Sequence, residues 1–401
     1  MINRRHFLQL AGSTLAVGLF NQIYIKQRAT NYGKVLAANT SRKVALLVGI
    51  NDYPDAAARL DGCVNDVKLQ YHLLKHRFGF KHEDIYTLTD KEATRENILG
   101  AFEEYLIKQV KEGDVAVFHY SGHGSRVEDP EPILFEPGKK FGLSGTFVPV
   151  DAKLPIGYPE QVVTVDDVMG HTLFLLMSAV KTENFTAVLD SCFSGAATRK
   201  FKVRAREGGK NVRISPQEKA YQEKWLSKLN ISRKKFVELY RQGVAKGVVM
   251  AATKPDQLAV DAQLNGFYAG AFTYLLTNYL WQQNTPIPED AINFAIQELP
   301  EQFSQTPQYE VKLGSKHHKQ PIYFISNPNS SANAVVTDVK GNKATLWLGG
   351  VDLGKLETGT TLKVIDDTNK SAAQVIYESR QGLVGEGTVK GNVKPNALLQ
   401  I

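Results

Sequence analysis

The sequence predicts an α/β fold in which helices cover both faces of a mostly parallel, six-stranded sheet, followed by a small all-β module. Two patterns support this. Up to about residue 325, short apolar runs alternate with segments whose apolar residues recur at helical spacing. Beyond it, short alternating strands are separated by turn residues. The composition, with 43% apolar and 22% charged residues, is typical of a soluble globular protein.

Apolar runs that end in turn residues predict the strands of the sheet. A continuous apolar run is typical of a strand that is buried on both faces, as in a parallel sheet. In chain order the predicted strands are residues 43–50, 85–88, 115–120, 185–189, 247–252 and 321–324.

Helical periodicity appears between these runs. In the first case, Val67, Tyr71, Leu74 and Phe78 form one apolar stripe that Gly79 ends. The segments with this pattern, or with the apolar character of a buried helix, are residues 64–78, 97–110, 168–180 and 270–281. Strands that alternate with helices in this way are connected by crossovers, which makes neighbouring strands parallel.

The chain divides into three parts. Residues 1–38 resemble an export signal and are excluded from the fold. Residues 39–327 form the α/β domain, and a Pro-Asn-Ser-Ser linker follows at 328–331. Residues 332–401 read as a small barrel of five or six strands, in which we find no chemistry.

The N-terminal segment suggests a destination. Arg4 and Arg5 precede a mildly apolar run, as in twin-arginine signals, and cleavage after Ala37 is compatible with the small or aliphatic residues before it. We therefore expect export to the periplasm or an equivalent compartment, with no stable membrane insertion once any signal is removed. The alternatives are a cytoplasmic protein with a loose N-terminal helix, or a segment that stays uncleaved as an anchor.

The net charge of +7 does not indicate a nucleic-acid-binding protein. Residues 199–247 contain fifteen Lys or Arg and only four Asp or Glu, so the basic character is confined to one segment. No basic stripe with interleaved aromatic residues, and no nucleic-acid-binding motif, accompanies it. We expect no nucleic-acid partner.

Two strand ends carry residues suited to nucleophilic catalysis. The third predicted strand leads directly to His123, and the fourth leads to Cys192. Because the carboxyl ends of parallel strands meet at one edge of a sheet, both loops should lie at the same edge. A thiol needs a base to become a nucleophile, and an imidazole is suited to that role. The amides of Gly122 and Cys192 are candidate donors to an oxyanion.

The simpler alternatives are that Cys192 is inert packing and that Gly-His-Gly is only a turn. Two cysteines are too few for a disulfide framework, and the histidines have no zinc-site spacing. We therefore expect no metal and no cofactor.

Two sequence boxes resemble the caspase-fold peptidases, specifically the metacaspases and their prokaryotic type, the orthocaspases. They are Tyr-Ser-Gly-His-Gly at 120–124 and Asp-Ser-Cys-Phe-Ser-Gly at 190–195. The resemblance continues over roughly residues 43–324, including residues 45–51, 60–67, 78–80, 88–90, 113–114 and 148–151. It implies a caspase-like α/β/α sandwich.

The resemblance also implies the roles of individual residues. His123 would be the general base and acid, and Cys192 the nucleophile. The pocket for the residue before the scissile bond would contain Asp66 and Asp190, lined by Cys63 and Ser121. Two carboxylates can hold a guanidinium by charge-assisted hydrogen bonds, so cleavage after Arg or Lys is expected. Alternatively, Asp66 caps a helix and Cys63 only packs in the core.

The chain departs from the family pattern where calcium would bind. Asp166 and Asp167 match an aspartate pair of the calcium site, but residues 136–142 contain no matching aspartate, and Arg199 stands seven residues after the cysteine. Calcium prefers six to eight oxygen ligands. We therefore expect activity without calcium. Phe193, where many metacaspases have histidine, bears no chemistry.

These inferences predict a cysteine endopeptidase that acts as a monomer on protein or peptide substrates and cleaves itself in the basic segment, residues 199–247. A helix over 223–240 could instead cover the substrate groove until cleavage, or the segment could be a solvated insertion with no role. One alternative function is a catalytically silent, caspase-like scaffold or binding protein, and another is a peptidase of the same broad clan with a different specificity.

Overall fold

The structure is a computed structural model that describes residues 41–129, 132–133, 142–192, 202–365 and 373–401. The predicted signal at 1–38 lies outside these residues, and so do Phe193, Arg199 and most of the 136–142 loop. Export therefore remains a prediction. No helix in the described ranges has the length and apolar character needed to span a membrane.

Strands in the described residues, named in chain order, are β1 Lys43–Gly49, β2 Ile85–Thr89, β3 Val115–Ser121, β4 Gly124–Asp129, β5 Gly142–Phe147, β6 Val163–Val165, β7 Val168–Met169, β8 Phe185–Asp190, β9 Gly209–Ile214, β10 Val248–Ala251, β11 Asp261–Leu264, β12 Phe267–Gly270, β13 Gln308–Val311, β14 Ala334–Lys340, β15 Lys343–Trp347, β16 Thr361–Val364, β17 Gln374–Gln381, β18 Val384–Lys390 and β19 Leu398–Gln400.

The α-helices are α1 Cys63–His72, α2 Arg95–Ala101, α3 Gly170–Ala179, α4 Pro216–Lys228, α5 Arg233–Arg241, α6 Ala271–Gln282 and α7 Pro288–Glu298. Wider π-helical turns extend α1 through Leu73–Arg77 and α2 through Phe102–Lys108. Short 3-10 helices occupy Ala56–Ala58, His82–Asp84, Asp90–Glu92, Glu301–Phe303, His317–Lys319 and Ile322–Phe324.

The central sheet has six strands in the order β13-β10-β8-β3-β1-β2. The pairs among β2, β1, β3, β8 and β10 are parallel, and β13 joins the edge antiparallel to β10. The prediction of a mostly parallel six-stranded sheet is confirmed. The sixth strand was predicted at 321–324, which is wrong. Tyr323 and Phe324 have positive φ angles of 55° and 56°, which a strand cannot accommodate.

Helices cover both faces of this sheet, as the apolar runs predict. Alternate residues of β1 point to opposite cores: Leu47 packs with α1 and α6 on one face, and Leu46 packs with α2 and α3 on the other. Burial of both faces is the reason that the strand sequence is continuously apolar rather than alternating. The α/β architecture is therefore confirmed.

A second sheet, with strand order β6-β9-β4-β5-β7, lies just beyond the end of β3 and was not predicted from the sequence. Strand β4 begins at Gly124, so the chain passes from one sheet to the other at His123. The basic segment supplies β9, α4 and α5. The single helix predicted over 223–240 is instead two helices, because the chain turns at Asn230 with a φ of 51°.

The C-terminal strands close into a barrel in the order β14-β15-β18-β17-β16-β19, which confirms the predicted small β-barrel module. Residues Lys43–Ile401 form one compact unit. A continuous apolar core runs from α1 and α6 into the barrel and includes Trp281 and Trp347. The domain boundaries at 327 and 332 stay a prediction.

Candidate active site

The loops that carry His123 and Cys192 leave the central sheet side by side. Strands β3 and β8 pair in parallel, with Ser121 opposite Asp190. His123 and Cys192 each follow two residues later. The backbone approach is so close that a Cβ atom on Gly124 would lie 1.9 Å from the carbonyl oxygen of Cys192, so only glycine fits there.

Backbone and aromatic contacts orient His123. Its Nε2 lies 2.6 Å from the carbonyl oxygen of Ala58, and its ring centroid lies 4.6 Å from that of Tyr53. A carbonyl can only accept a hydrogen bond, so Nε2 carries the proton of the neutral imidazole and Nδ1 carries the lone pair. Nδ1 is buried and has no hydrogen-bond partner among the described residues. Burial lowers the pKa of His123 to about 4, against the opposing effect of the Ala58 carbonyl.

Cys192 is fully buried next to Ala259, which lies in the loop between β10 and β11. Its Sγ accepts a hydrogen bond from the Ala259 amide at 2.7 Å. Burial raises the pKa of the thiol to about 12, although this hydrogen bond opposes the rise. At neutral pH the thiol and the imidazole are therefore both in their neutral forms in this structure.

A peptide segment of the chain itself lies in the groove next to Cys192. The amide of Arg204 donates to Ala259 O at 3.0 Å, and the amide of Asp261 donates to Lys202 O at 2.9 Å. Val203 and Val260 form an antiparallel bridge between these two bonds. Residues 202–204 therefore pair with the start of β11 as an added strand, which is how extended peptide ligands bind a sheet edge.

The carbonyl oxygen of Arg204 accepts two backbone hydrogen bonds. The amide of Cys192 donates at 3.1 Å and the amide of Gly124 donates at 3.0 Å. Two converging amides next to a thiol are the arrangement that stabilises an oxyanion in acyl transfer. The amide of Cys192, one of the two predicted oxyanion donors, is thus directed at this carbonyl. The prediction of Gly122 as the other donor is corrected, because the amide of Gly122 donates to Asp190 O at 3.3 Å.

The guanidinium of Arg204 fills the predicted acidic pocket. Its Nη1 lies 2.7 Å from Asp66 Oδ2 and 3.1 Å from Asp190 Oδ1. Its Nη2 lies 2.9 Å from Asp261 Oδ1. Ser121 accepts a hydrogen bond from Nη1 at 2.7 Å and donates to Asp66 at 2.6 Å. Arg204 and the three carboxylates are almost completely buried.

Backbone donors hold these carboxylates in place. The amide of Gly270 donates to Asp66, and the amide and hydroxyl of Thr273 at the start of α6 donate to Asp190. Asp66 therefore faces the pocket and does not cap α1, whose N-cap is Gly62. Burial raises the pKa of Asp66, and Arg204 opposes that rise. The pocket is therefore acidic, and hydrogen bonds fix the orientation of Asp66 and Asp190.

Cys63 lies in the first turn of α1 and is fully buried. Burial raises the pKa of its thiol, and Arg204, Asp261 and Asp66 are the charged groups that act on it. Both sequence interpretations therefore apply: Cys63 belongs to the apolar core and is adjacent to the pocket.

Sequence reasoning missed three functional positions. Arg204 is one of many cations in the basic segment, and no local pattern distinguishes it. Asp261 follows a strand end by ten residues, too far for the strand-end rule. Gly124 could have been found, since it is the second glycine of the Gly-His-Gly box.

The described residues do not fit a calcium site. Asp167 is fully buried, and its Oδ2 lies 2.6 Å from both Arg206 Nη2 and the hydroxyl of Thr146. Asp166 is exposed. A cation at Asp167 would face a guanidinium already paired with the same oxygen. Within the described ranges, no group of three or more His, Cys, Asp or Glu residues has a metal-binding arrangement.

Buried histidines make the stability of the fold sensitive to acid. Burial lowers the pKa of His119 to about 3, against about 6.5 in an unfolded chain. The unfolded chain binds a proton as the pH falls below about 6.5, and the folded chain does not, so the free energy of unfolding decreases. For His119→Phe in a Cys192→Ala background, we expect the slope of unfolding free energy against pH to fall by about 1.4 kcal/mol per unit between about pH 6 and 4. Urea unfolding at several pH values measures this, and an unchanged slope would contradict it.

Comparison with known proteins agrees with this geometry. Residues 42–318 match the caspase domain family. Metacaspase-1 of Meyerozyma guilliermondii is 28% identical over 318 residues, which cover 69% of this chain and 70% of that protein. Metacaspase-1A of Aspergillus niger is 29% identical over 298 residues, with 67% and 70% covered.

Among solved structures, protein GSU0716 of Geobacter sulfurreducens is 20% identical, with a TM-score of 0.46, over 71% of this chain and 99% of that chain. The prokaryotic orthocaspase type stays a prediction. The caspase-domain match covers more than half of the sequence and includes both loops of the candidate site. The chain therefore belongs to the caspase-domain family of cysteine peptidases and, within it, to the metacaspases.

Proposed function

We propose that this metacaspase is an endopeptidase that cleaves proteins or peptides after Arg or Lys, with Cys192 and His123 as its catalytic dyad. The observation that carries the proposal is the position of Arg204. Its side chain occupies the acidic pocket, and its carbonyl accepts from the Cys192 and Gly124 amides. The segment from Lys202 to Arg206 thus lies in the groove as a substrate would.

The chemistry follows from the groups around that carbonyl. Nδ1 of His123 takes the thiol proton as Cys192 Sγ attacks the carbonyl carbon, and the two amides bind the oxyanion that forms. When the C–N bond breaks, His123 returns the proton to the leaving amine. A water then attacks the thioester, with His123 as base, and releases the carboxylic acid while the thiol is restored.

The shape of the pocket favours Arg over Lys. The two Nη atoms of a guanidinium reach carboxylates on different elements at once, Asp66 and Asp190 on one side and Asp261 on the other. A lysine ammonium is a single point charge and cannot make both sets of contacts. A substrate Asp would bring a further negative charge into a buried acidic site, which carries a large free-energy cost.

We infer from the same geometry that self-processing cleaves the bond between Arg204 and Ala205. That bond joins the residue in the pocket to Ala205, which bridges Gly124. The helices α4 and α5 do not lie in the groove. They pack beside α3, and their Trp225 and Phe236 side chains enter the core there. Residues 202–206, and not the helical piece, therefore close the groove before cleavage. Calcium independence is part of the proposal, because Asp167 is already paired with Arg206.

Fluorogenic peptides ending in Arg, Lys or Asp test the substrate class. We expect cleavage of the Arg peptide, slower cleavage of the Lys peptide, and a kcat/KM for the Asp peptide lower by about a thousandfold or more, because its carboxylate meets three buried carboxylates. A chelator should leave these rates unchanged.

Asp261→Asn provides a matched test, with the exposed Asp256→Asn as its control. The first variant should lower kcat/KM for the Arg peptide by about tenfold or more, since one of the charged contacts is lost. Cleavage of none of the peptides by wild-type protein would favour the silent scaffold. Activity that a chelator abolishes and calcium alone restores would contradict calcium independence.

A further inference from the structure

A second arginine of the same segment lies in a second acidic site. Arg206 follows Arg204 by two residues and is 8% exposed. Its Nη2 lies 2.6 Å from Asp167 Oδ2, and its Nη1 donates to the carbonyl oxygen of Ala152 at 3.2 Å. Ala205 forms a parallel β-bridge with Gly124, and the Arg206 amide donates to Gly124 O at 2.9 Å. Arg206 is therefore held by its backbone as well as by its side chain.

Asp167 is also held by contacts other than that with Arg206. It links β6 to β7, and β7 pairs with β5 through Phe147–Val168 and Thr146–Met169. The hydroxyl of Thr146 donates to its Oδ2 at 2.6 Å. Its other oxygen, Oδ1, is buried without a hydrogen-bond partner in the part of the chain that the structure describes. A fully buried carboxylate with an unused oxygen is a site that favours a cationic partner.

The direction of the segment identifies which side of the scissile bond this site serves. Residues up to Arg204 pair with β11, and Ala205 and Arg206 continue along the start of β4. Arg206 is thus the second residue after the bond that Cys192 would attack. We propose that Asp167 forms a subsite for Arg or Lys at the second position after the scissile bond, so that the enzyme selects Arg-x-Arg sequences. This inference rests on the proposed function and adds a determinant of specificity on the leaving-group side.

The subsite also gives Asp167 a role that differs from metal binding. In the described structure its charge is balanced by a side chain of the bound segment, so a substrate with a cation at this position would restore the same pairing. A substrate without that cation would leave the carboxylate buried and unpaired. The kcat/KM values should therefore differ between peptides that differ only at this one residue.

Internally quenched peptides that span the scissile bond test the proposal. One peptide copies residues 202–207, Lys-Val-Arg-Ala-Arg-Glu, and three others replace its second arginine by Lys, Ala or Glu. With the purified wild-type chain, and counting only cleavage of the bond after the first arginine as identified by mass spectrometry of the products, we expect kcat/KM to fall by about 10- to 100-fold from Arg to Ala, with Lys close to Arg and Glu lowest, because a charge-assisted contact is lost or reversed. Equal rates for the four peptides would overturn the proposal.

Asp167→Asn and the exposed neighbour Asp166→Asn form the matched pair of variants. With Asp167→Asn, the ratio of kcat/KM between the Arg and the Ala peptide should be close to one. With Asp166→Asn, this ratio should stay at the wild-type value. An Asp167→Asn enzyme that retains the full preference would also overturn the proposal. If that variant does not fold, the wild-type peptide series decides alone. Absence of cleavage of every peptide, including those with Arg before the bond, would contradict the proposed function instead.

Discussion

Replacing Cys192 by alanine is expected to abolish both cleavage of Arg-ended peptides and the internal cut between Arg204 and Ala205. The reason is that Sγ is the nucleophile of the proposed mechanism, while the amides of Gly124 and Cys192, which donate to the Arg204 carbonyl, only stabilise the oxyanion that forms. Loss of a covalent nucleophile typically lowers the rate by about 10⁴-fold or more. Mass spectrometry of purified wild-type and variant chains, together with peptide hydrolysis, measures both effects.

Two controls belong to this experiment. Cys63→Ala removes the other thiol, which lies in helix α1, and cleavage should persist. Cys192→Ala protein mixed with active wild-type enzyme should be cut only if the Arg204–Ala205 bond is accessible to a second molecule. A Cys192→Ala chain that yields the wild-type fragments without any active enzyme would contradict the proposal of self-processing.

Replacing Arg204 by alanine in the Cys192→Ala background is expected to lower the free energy of unfolding by about 3–5 kcal/mol. Removing one partner of a buried ion pair leaves the other charges buried and uncompensated. Here the remaining charges are Asp66, Asp190 and Asp261, all within 3.1 Å of the guanidinium in the parent protein. Urea unfolding at neutral pH measures the loss.

The exposed pair of Arg213 and Glu128 provides the matched control, since Arg213 is 58% exposed. Arg213→Ala should cost less than about 1 kcal/mol. Protonation neutralises the unpaired carboxylates, so the deficit of the Arg204→Ala chain should shrink as the pH is lowered. A loss no larger than that of the control would show that the buried ion pairs contribute little, and that the segment is held by its backbone contacts.

The occupied groove suggests how activity is controlled. Arg204 satisfies both features that a substrate needs, the acidic pocket and the pair of amides, so an outside peptide must displace it or wait for cleavage. In this structure burial also lowers the pKa of the His123 imidazole to about 4 and raises the pKa of the Cys192 thiol to about 12. Release of the segment would expose both groups to water and favour the ion pair.

Much of the fold follows from local patterns. Residues 43–50, predicted as a strand, form β1 Lys43–Gly49, because a run buried on both faces must be apolar throughout. The rule that parallel strands end at one edge correctly brought the His123 and Cys192 loops together. The prediction of a strand at 321–324 was wrong because a short apolar run after proline carries no information on its backbone conformation. The strand that does complete the sheet, β13, was missed because its exposed and half-buried positions alternate only weakly.

The amino-acid sequence by itself determined the α/β architecture, the barrel module and the placement of the His123 and Cys192 loops after neighbouring strands, because each depends on periodicity or on strand ends that are local in the chain. Only the tertiary structure decided that Arg204 fills the acidic pocket, that Asp261 completes it, and that Asp167 faces Arg206. These contacts join residues tens to more than a hundred positions apart. Their charges look the same in the sequence as those of any exposed Arg or Asp, and packing alone brings them together and buries them.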